Sequence, residues 1–150
     1  MSKIRGFELV SQFTDEALLP KRETAHAAGY DLKAAVTTEI APGEIKLVPT
    51  GVKAYMQASE VLYLFDRSSN PRKKGLVLIN SVGVIDKDYY NNPDNEGHMF
   101  SKITNDTNEE KTIDIAQGEG FMQGIFVEYG ITVDDDVTDV RNGGFGSTTK

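Results

Sequence analysis

The chain has 150 residues, 39% of them hydrophobic, which suits a single domain with a useful core. It contains no cysteine, so disulfides, zinc–thiolate sites and thiol nucleophiles are excluded. The net charge of −7, from 16 basic and 23 acidic residues, disfavours general nucleic-acid binding, which needs a basic face. No apolar run approaches the roughly 20 residues of a membrane span, and the start Met1-Ser2-Lys3-Ile4-Arg5-Gly6 lacks the apolar stretch of a signal peptide, so a soluble cytoplasmic protein is expected.

Along the chain the pattern is mostly β. Glu44-Ile45-Lys46-Leu47-Val48 and Lys53-Ala54-Tyr55-Met56 alternate as half-buried strands do. Val61-Leu62-Tyr63-Leu64-Phe65 and Leu76-Val77-Leu78-Ile79 are continuous apolar runs, expected of strands covered on both faces. Lys111-Thr112-Ile113-Asp114-Ile115 and Gly124-Ile125-Phe126-Val127-Glu128-Tyr129 complete the set. Turn signals separate them at Pro42-Gly43, at Asn91-Asn92-Pro93-Asp94-Asn95 and between Asn105 and Glu110. Short strands with frequent turns predict a sandwich or barrel. One short helix is expected, with Ser68 or Ser69 capping Pro71-Arg72-Lys73-Lys74 ahead of Gly75. Residues 1–140 read as one body, and the glycine-rich 141–150, with Phe145 among Gly143, Gly144 and Gly146, as its C-terminal arm.

Chemistry concentrates in a few places. Arg67, Arg72, Lys73 and Lys74 form a local basic cluster that suits a small polyanion. Asp66-Arg67-Ser68-Ser69 puts donors at the end of a strand. Asn80 precedes Ser81-Val82-Gly83-Val84-Ile85-Asp86-Lys87-Asp88-Tyr89, where Gly83 would let the backbone come close to a ligand. Beside Val84 and Ile85, Asp86 is expected to be partly desolvated, as suits a general base. His26 and His98 are the only histidines, too few for a His-rich metal centre.

In order, Ala27-Ala28-Gly29-Tyr30-Asp31-Leu32, Arg67-Ser68-Ser69 with Gly75-Leu76, Asn80 to Tyr89, Gly118-Glu119 through Gln123, and Arg141 with Gly143-Gly144-Phe145-Gly146-Ser147-Thr148 resemble the motifs of the trimeric dUTP diphosphatase (dUTPase) family. The resemblance implies an all-β, jelly-roll-like distorted β-barrel with at most one short helix and a C-terminal arm. It implies hydrolysis of dUTP to dUMP and pyrophosphate in a Mg²⁺-assisted reaction, by a homotrimer whose active sites are shared between chains. Asp86 would activate the attacking water and meet the sugar 3′-hydroxyl. Tyr89 would pack on the deoxyribose, and Asn80 would bond the uracil edge beside the backbone at Gly83. Arg67, Ser68, Ser69 and Gln123 would hold the phosphates, Arg141 the γ-phosphate, and Phe145 would stack on uracil. Asp31 would reach the metal through water.

The chain departs from the family pattern at Gly120, where an arginine is usual, and Arg141 stands one position closer to Phe145 than is common. A dCTP deaminase of the same fold is a rival expectation, but it needs a glutamate base where this motif offers Asp86. A dUTP-binding regulatory or interaction protein with weak catalysis is another, which Gly120 favours and Asp86, Tyr89 and Phe145 oppose.

Overall fold

The computed structural model describes residues 3–70, 74–107 and 109–144. The protein is all-β and jelly-roll-like, and its regular ladders are antiparallel. The strands are β1 (Gly6–Leu9), β2 (Tyr30–Lys33), β3 (Thr38–Ile40), β4 (Ile45–Pro49), β5 (Val52–Tyr55), β6 (Glu60–Asp66), β7 (Leu76–Leu78), β8 (Val82–Ile85), β9 (Phe100–Asn105), β10 (Ile113–Ile115) and β11 (Gly120–Glu128). Four sheets form, ordered β1-β5, β10-β3, β2-β11-β6-β8 and β4-β9-β7, and no ladder among the described residues closes them into a barrel. Single 3-10 turns occur at Glu16–Leu18 and Lys87–Tyr89. Ser69 and Asn70 are helical, but Pro71, Arg72 and Lys73 of the expected helix lie outside the described residues.

The apolar runs of the sequence become the core. Leu62 and Leu64 of β6, Leu32 of β2 and Met122 of β11 are buried on one side of the four-stranded sheet and pack with Leu76 and Ile103 of the three-stranded one. β6 comes closest to two-sided cover, with Val61, Leu62 and Leu64 buried and Tyr63 and Phe65 half-buried. β7 does not fit that expectation. It is an edge strand with Leu76 and Leu78 inward, and Ile79 beyond it is exposed. Alternation also fails in β5, where Val52, Lys53 and Ala54 are all buried. Lys53 tolerates burial because its ammonium donates to Asn91 Oδ1 at 2.6 Å and to Glu96 Oε2 at 2.8 Å.

The loop after β6 is fixed by a polar brace. Asn70, only 3% exposed, donates through Nδ2 to Asp66 Oδ1 and to the Phe121 carbonyl, while Asp66 Oδ2 accepts from the Leu78 amide at 3.2 Å. The brace ties the loop carrying Arg67, Ser68 and Ser69 to both β11 and β7. Asn70→Ala removes donors from a half-buried carboxylate and a buried carbonyl, and is expected to cost about 2 kcal/mol. A shift of the urea midpoint at unchanged slope measures it; an unchanged midpoint would show that the brace contributes nothing.

Candidate functional site

A cleft of about 180 Å³ opens between β8, the turn after it and the C-terminal segment. It is lined by Asn80, Gly83, Asp86, Tyr89, Ser101 and Arg141, with Leu64 on its floor. Asn80 begins the tight β7–β8 turn, in which Ser81 takes a left-handed conformation (φ 63°) and the Val82 amide bonds the Asn80 carbonyl at 2.6 Å. Gly83 opposes Leu64 across the ladder, and a Cβ there would sit 3.1 Å from the Leu64 Cβ, so its bareness keeps β8 close on β6.

Asp86 precedes the Lys87–Tyr89 turn with extended backbone (φ −76°, ψ 155°), and its side chain does not cap that turn. The carboxylate is instead turned to the cleft mouth, where Oδ2 accepts from Arg141 Nη2 at 2.9 Å. The expected desolvation of Asp86 is not found: its side chain is 55% exposed and the neighbouring Val84 is 59% exposed. Of its apolar neighbours on β8, Val84 faces outward while Ile85 turns into the core and is buried, so neither covers the carboxylate.

Tyr89 is buried, and burial raises its phenol pKa. Its hydroxyl donates to the His98 carbonyl at 2.7 Å and accepts from Asn95 Nδ2 at 2.9 Å. The Arg141 guanidinium lies 5.8 Å from the centre of its ring. Arg141 also bonds Asp88 Oδ1 through Nε at 2.8 Å, and its side chain is only 8% exposed. Sequence reasoning gave Asp88, Asn95 and His98 no part in this arrangement. The Asn91–Asn95 turn signal was visible, but not that its Asn95 would reach the tyrosine.

The other expected site residues gather elsewhere. Asp31 on β2 is in register with Gln123 on β11, Gln123 with Phe65 on β6, and Phe65 with Val82 on β8. Arg67, just past the end of β6, places Nε 3.6 Å from Asp31 Oδ1 and donates from Nη1 to the Gly120 carbonyl at 3.1 Å. Gln123 Nε2 donates to the Asp66 carbonyl at 3.2 Å. Beside them is a second hollow of about 230 Å³, lined by Arg67, Ser69, Asn70, Lys74, Glu119 and Gly120, in which Lys74 pairs with Glu119. Ser68 is exposed on the same loop, and Phe145 lies outside the described residues.

Ile85, next to Asp86, pairs with Leu62, well along β6 from the Phe65 rung. With strand spacings near 4.8 Å and a rise near 3.3 Å per residue, Asp31 and Asp86 of one chain are on the order of 15–20 Å apart. The cleft and the Arg67 hollow share no lining residue, and the Asp86 end of the cleft is the end remote from the hollow.

Among the described residues no group of three or more His, Cys, Asp or Glu side chains could cage a metal. The carboxylate available beside Arg67 and Gln123 is Asp31, 17% exposed. A single carboxylate fits Mg²⁺, which keeps several waters and takes its remaining ligands from substrate phosphates.

This fold is shared with dUTPases of known structure. The protein superposes on a crystal structure of a dUTPase from Streptococcus mutans with a TM-score of 0.82 and 68% sequence identity, covering 85% of this chain and 98% of that one. A dUTPase from phage phi11 of S. aureus, described with a structural Mg(II) ion, is 22% identical with a TM-score of 0.72 over 91% of this chain and 98% of that one, a likeness of fold alone. The dUTPase family model matches residues 15–149. The deoxyuridine 5′-triphosphate nucleotidohydrolase of Lactococcus lactis subsp. lactis is 62% identical over 149 residues, 97% of this chain and 98% of the relative. The chain belongs to the dUTPase family and is an enzyme of it.

Proposed function

We propose that the chain hydrolyses dUTP to dUMP and pyrophosphate, with Asp86 as general base. The observation that carries this reading is the meeting of Asn80, Gly83, Asp86, Tyr89 and Arg141 around one cleft. Asp86 takes a proton from a water as its oxygen bonds the α-phosphorus; the bond from that phosphorus to the α–β bridging oxygen breaks, and pyrophosphate leaves. Because the carboxylate is half exposed in the isolated chain, substrate and a neighbouring chain supply the exclusion of water that burial does not.

The turn bearing Asn80 presents that side chain to the uracil edge, and the flat of Tyr89 carries the sugar. Arg67, Ser68, Ser69 and Gln123 hold the phosphates, with a serine hydroxyl near the bridging oxygen where charge develops. Arg141 leaves the Asp86 and Asp88 carboxylates for the γ-phosphate, and Phe145 stacks on the base. Asp31 would hold Mg²⁺ through water, and the ion would supply neutralisation of the triphosphate charge.

The distance between Asp31 and Asp86 supports sites shared between copies, an Arg67 patch from one facing an Asp86 cleft from another, and the family resemblance makes the assembly a homotrimer. Residues 1–140 serve as the body and 141–150 as the arm that closes on the site. Among the described residues no helix is long and apolar enough to cross a membrane, and a cytoplasmic location is part of this reading.

Pyrophosphate release, measured side by side with dUTP, UTP, dTTP and dCTP, tests the substrate. The dUTP rate is expected to exceed the others by about a hundredfold or more in kcat/KM. Equal rates would reject the reading, and ammonia release from dCTP would replace it with deamination.

A further inference from the structure

We propose that Gly120 is a positioning residue for Arg67: by carrying no side chain it leaves a seat on β11 in which the guanidinium is held between a backbone carbonyl and the Asp31 carboxylate. The proposal rests on the reading of Arg67 as a phosphate-holding residue.

Arg67 leaves the end of β6 and lies across β11, donating from Nη1 to the Gly120 carbonyl at 3.1 Å. Its Nε is 3.6 Å from Asp31 Oδ1 on the next strand over. The guanidinium thus bridges β2 and β11 while its side chain keeps 35% exposure, and Arg67 lines the hollow shared with Ser69 and Lys74. A Cβ added to Gly120 would stand 2.7 Å from Arg67 Nη1, far inside contact distance, and 3.9 Å from the Asp31 Cβ.

Position 120 has no left-handed backbone to explain a glycine. Gly118 (φ 84°) has that excuse and has open space where its Cβ would be; Gly120 has neither. What an added methyl meets is the far end of a flexible arginine, so the strand can accept alanine and the guanidinium must yield. An arginine fork grips phosphate by direction as well as by charge. Displacing it therefore costs binding even though no charge is lost. Gly29 shows the same economy nearby, since its Cβ would meet Gln123 Oε1 at 2.5 Å.

The test uses the full-length chain and three variants: Gly120→Ala, Arg67→Ala and the double variant. Arg67→Ala is expected to raise KM for dUTP by about 20- to 100-fold. Gly120→Ala is expected to raise it about 5- to 10-fold with kcat within about threefold and Tm within a few degrees. With Arg67 absent the methyl has nothing to displace, so the double variant should match Arg67→Ala. If Arg67→Ala leaves KM unchanged, the phosphate-holding reading itself falls. If Arg67→Ala raises KM but Gly120→Ala does not, or if the two losses multiply, only the positioning role falls. A large loss of Tm in Gly120→Ala would also overturn it, because the strand and not the arginine would then be what cannot accommodate the methyl.

Discussion

Replacing Asp86 with asparagine is expected to lower kcat by about a thousandfold while dUTP still binds. Asparagine keeps the shape of the side chain and an oxygen for Arg141 Nη2, and loses the negative charge together with the ability to take up a proton. Folding should be nearly unaffected, because the Asp86 side chain is half exposed and caps no turn. Single-turnover pyrophosphate release and equilibrium titration with dUTP separate the two effects. Turnover within tenfold of the parent would remove Asp86 from the role of base. Loss of binding in parallel with turnover would assign it to holding the substrate.

The second large effect concerns pH. His98 is 3% exposed, and burial pushes its pKa from 6.5 down to about 4 against a weaker upward pull from Glu96. The geometry agrees: Nε2 accepts from the Gly51 amide at 2.8 Å, a bond lost if that nitrogen is protonated, and the ring is packed by Phe13 and Phe100. In the unfolded chain the ring takes a proton near pH 6.5, so between 6.5 and 4 the unfolded state binds the extra proton. The contribution is complete above about pH 6.5 and is lost as pH falls through that window, to a total of about 3 kcal/mol.

Glu96 acts lower. Bonds from Lys53 and Ser11 hold its carboxylate down at about 2, so its contribution is present above about pH 4.5 and lost as pH falls towards 2. Urea midpoints between pH 7.5 and 4.5 should therefore decline in the parent and be markedly flatter in His98→Gln. A His98 resonance titrating near 6.5 in the folded protein would refute the assignment. Since the Tyr89 hydroxyl bonds the His98 carbonyl, acid loosening of this turn should reach the cleft as well.

The strands that were legible in the sequence are those whose inward positions are apolar: β6 and β11 most of all, then β7 and β10. β4 and β5 were legible as strands but not in their faces: Ile45 and Leu47 of β4 are exposed and only Val48 is buried, and β5 buries Lys53 between Val52 and Ala54. β9 shows why others were not. Its buried face is Ser101, Ile103 and Asn105, and Asn105 is satisfied inside by donating to the Ile40 and Lys111 carbonyls. Two polar residues on the core side erase the alternation that a reader of sequence relies on. β3, Thr38-Glu39-Ile40, has a single buried apolar residue, Ile40, so it shows no apolar alternation.

In the site, Asn80 to Tyr89 could be read because those residues are contiguous and one turn gathers them. The coming together of Asp31, Arg67 and Gln123 depends on the pairing of β2, β11 and β6, which no local spacing encodes. The brace of Asp66 and Asn70 was hidden for the same reason, since its partners are the backbone of strands remote in sequence.

The inward bonds of Tyr89 bear on the choice between ribose and deoxyribose. Its phenolic proton is already given to a carbonyl, and the same oxygen already takes a proton from an amide side chain. A sugar resting on this ring would meet carbon alone, so an extra hydroxyl at C2′ must shed its hydration with no return. On the proposed reading, rejection of ribonucleotides is expected to include a hydrogen bond withheld, on the order of 1–3 kcal/mol, on top of whatever crowding contributes.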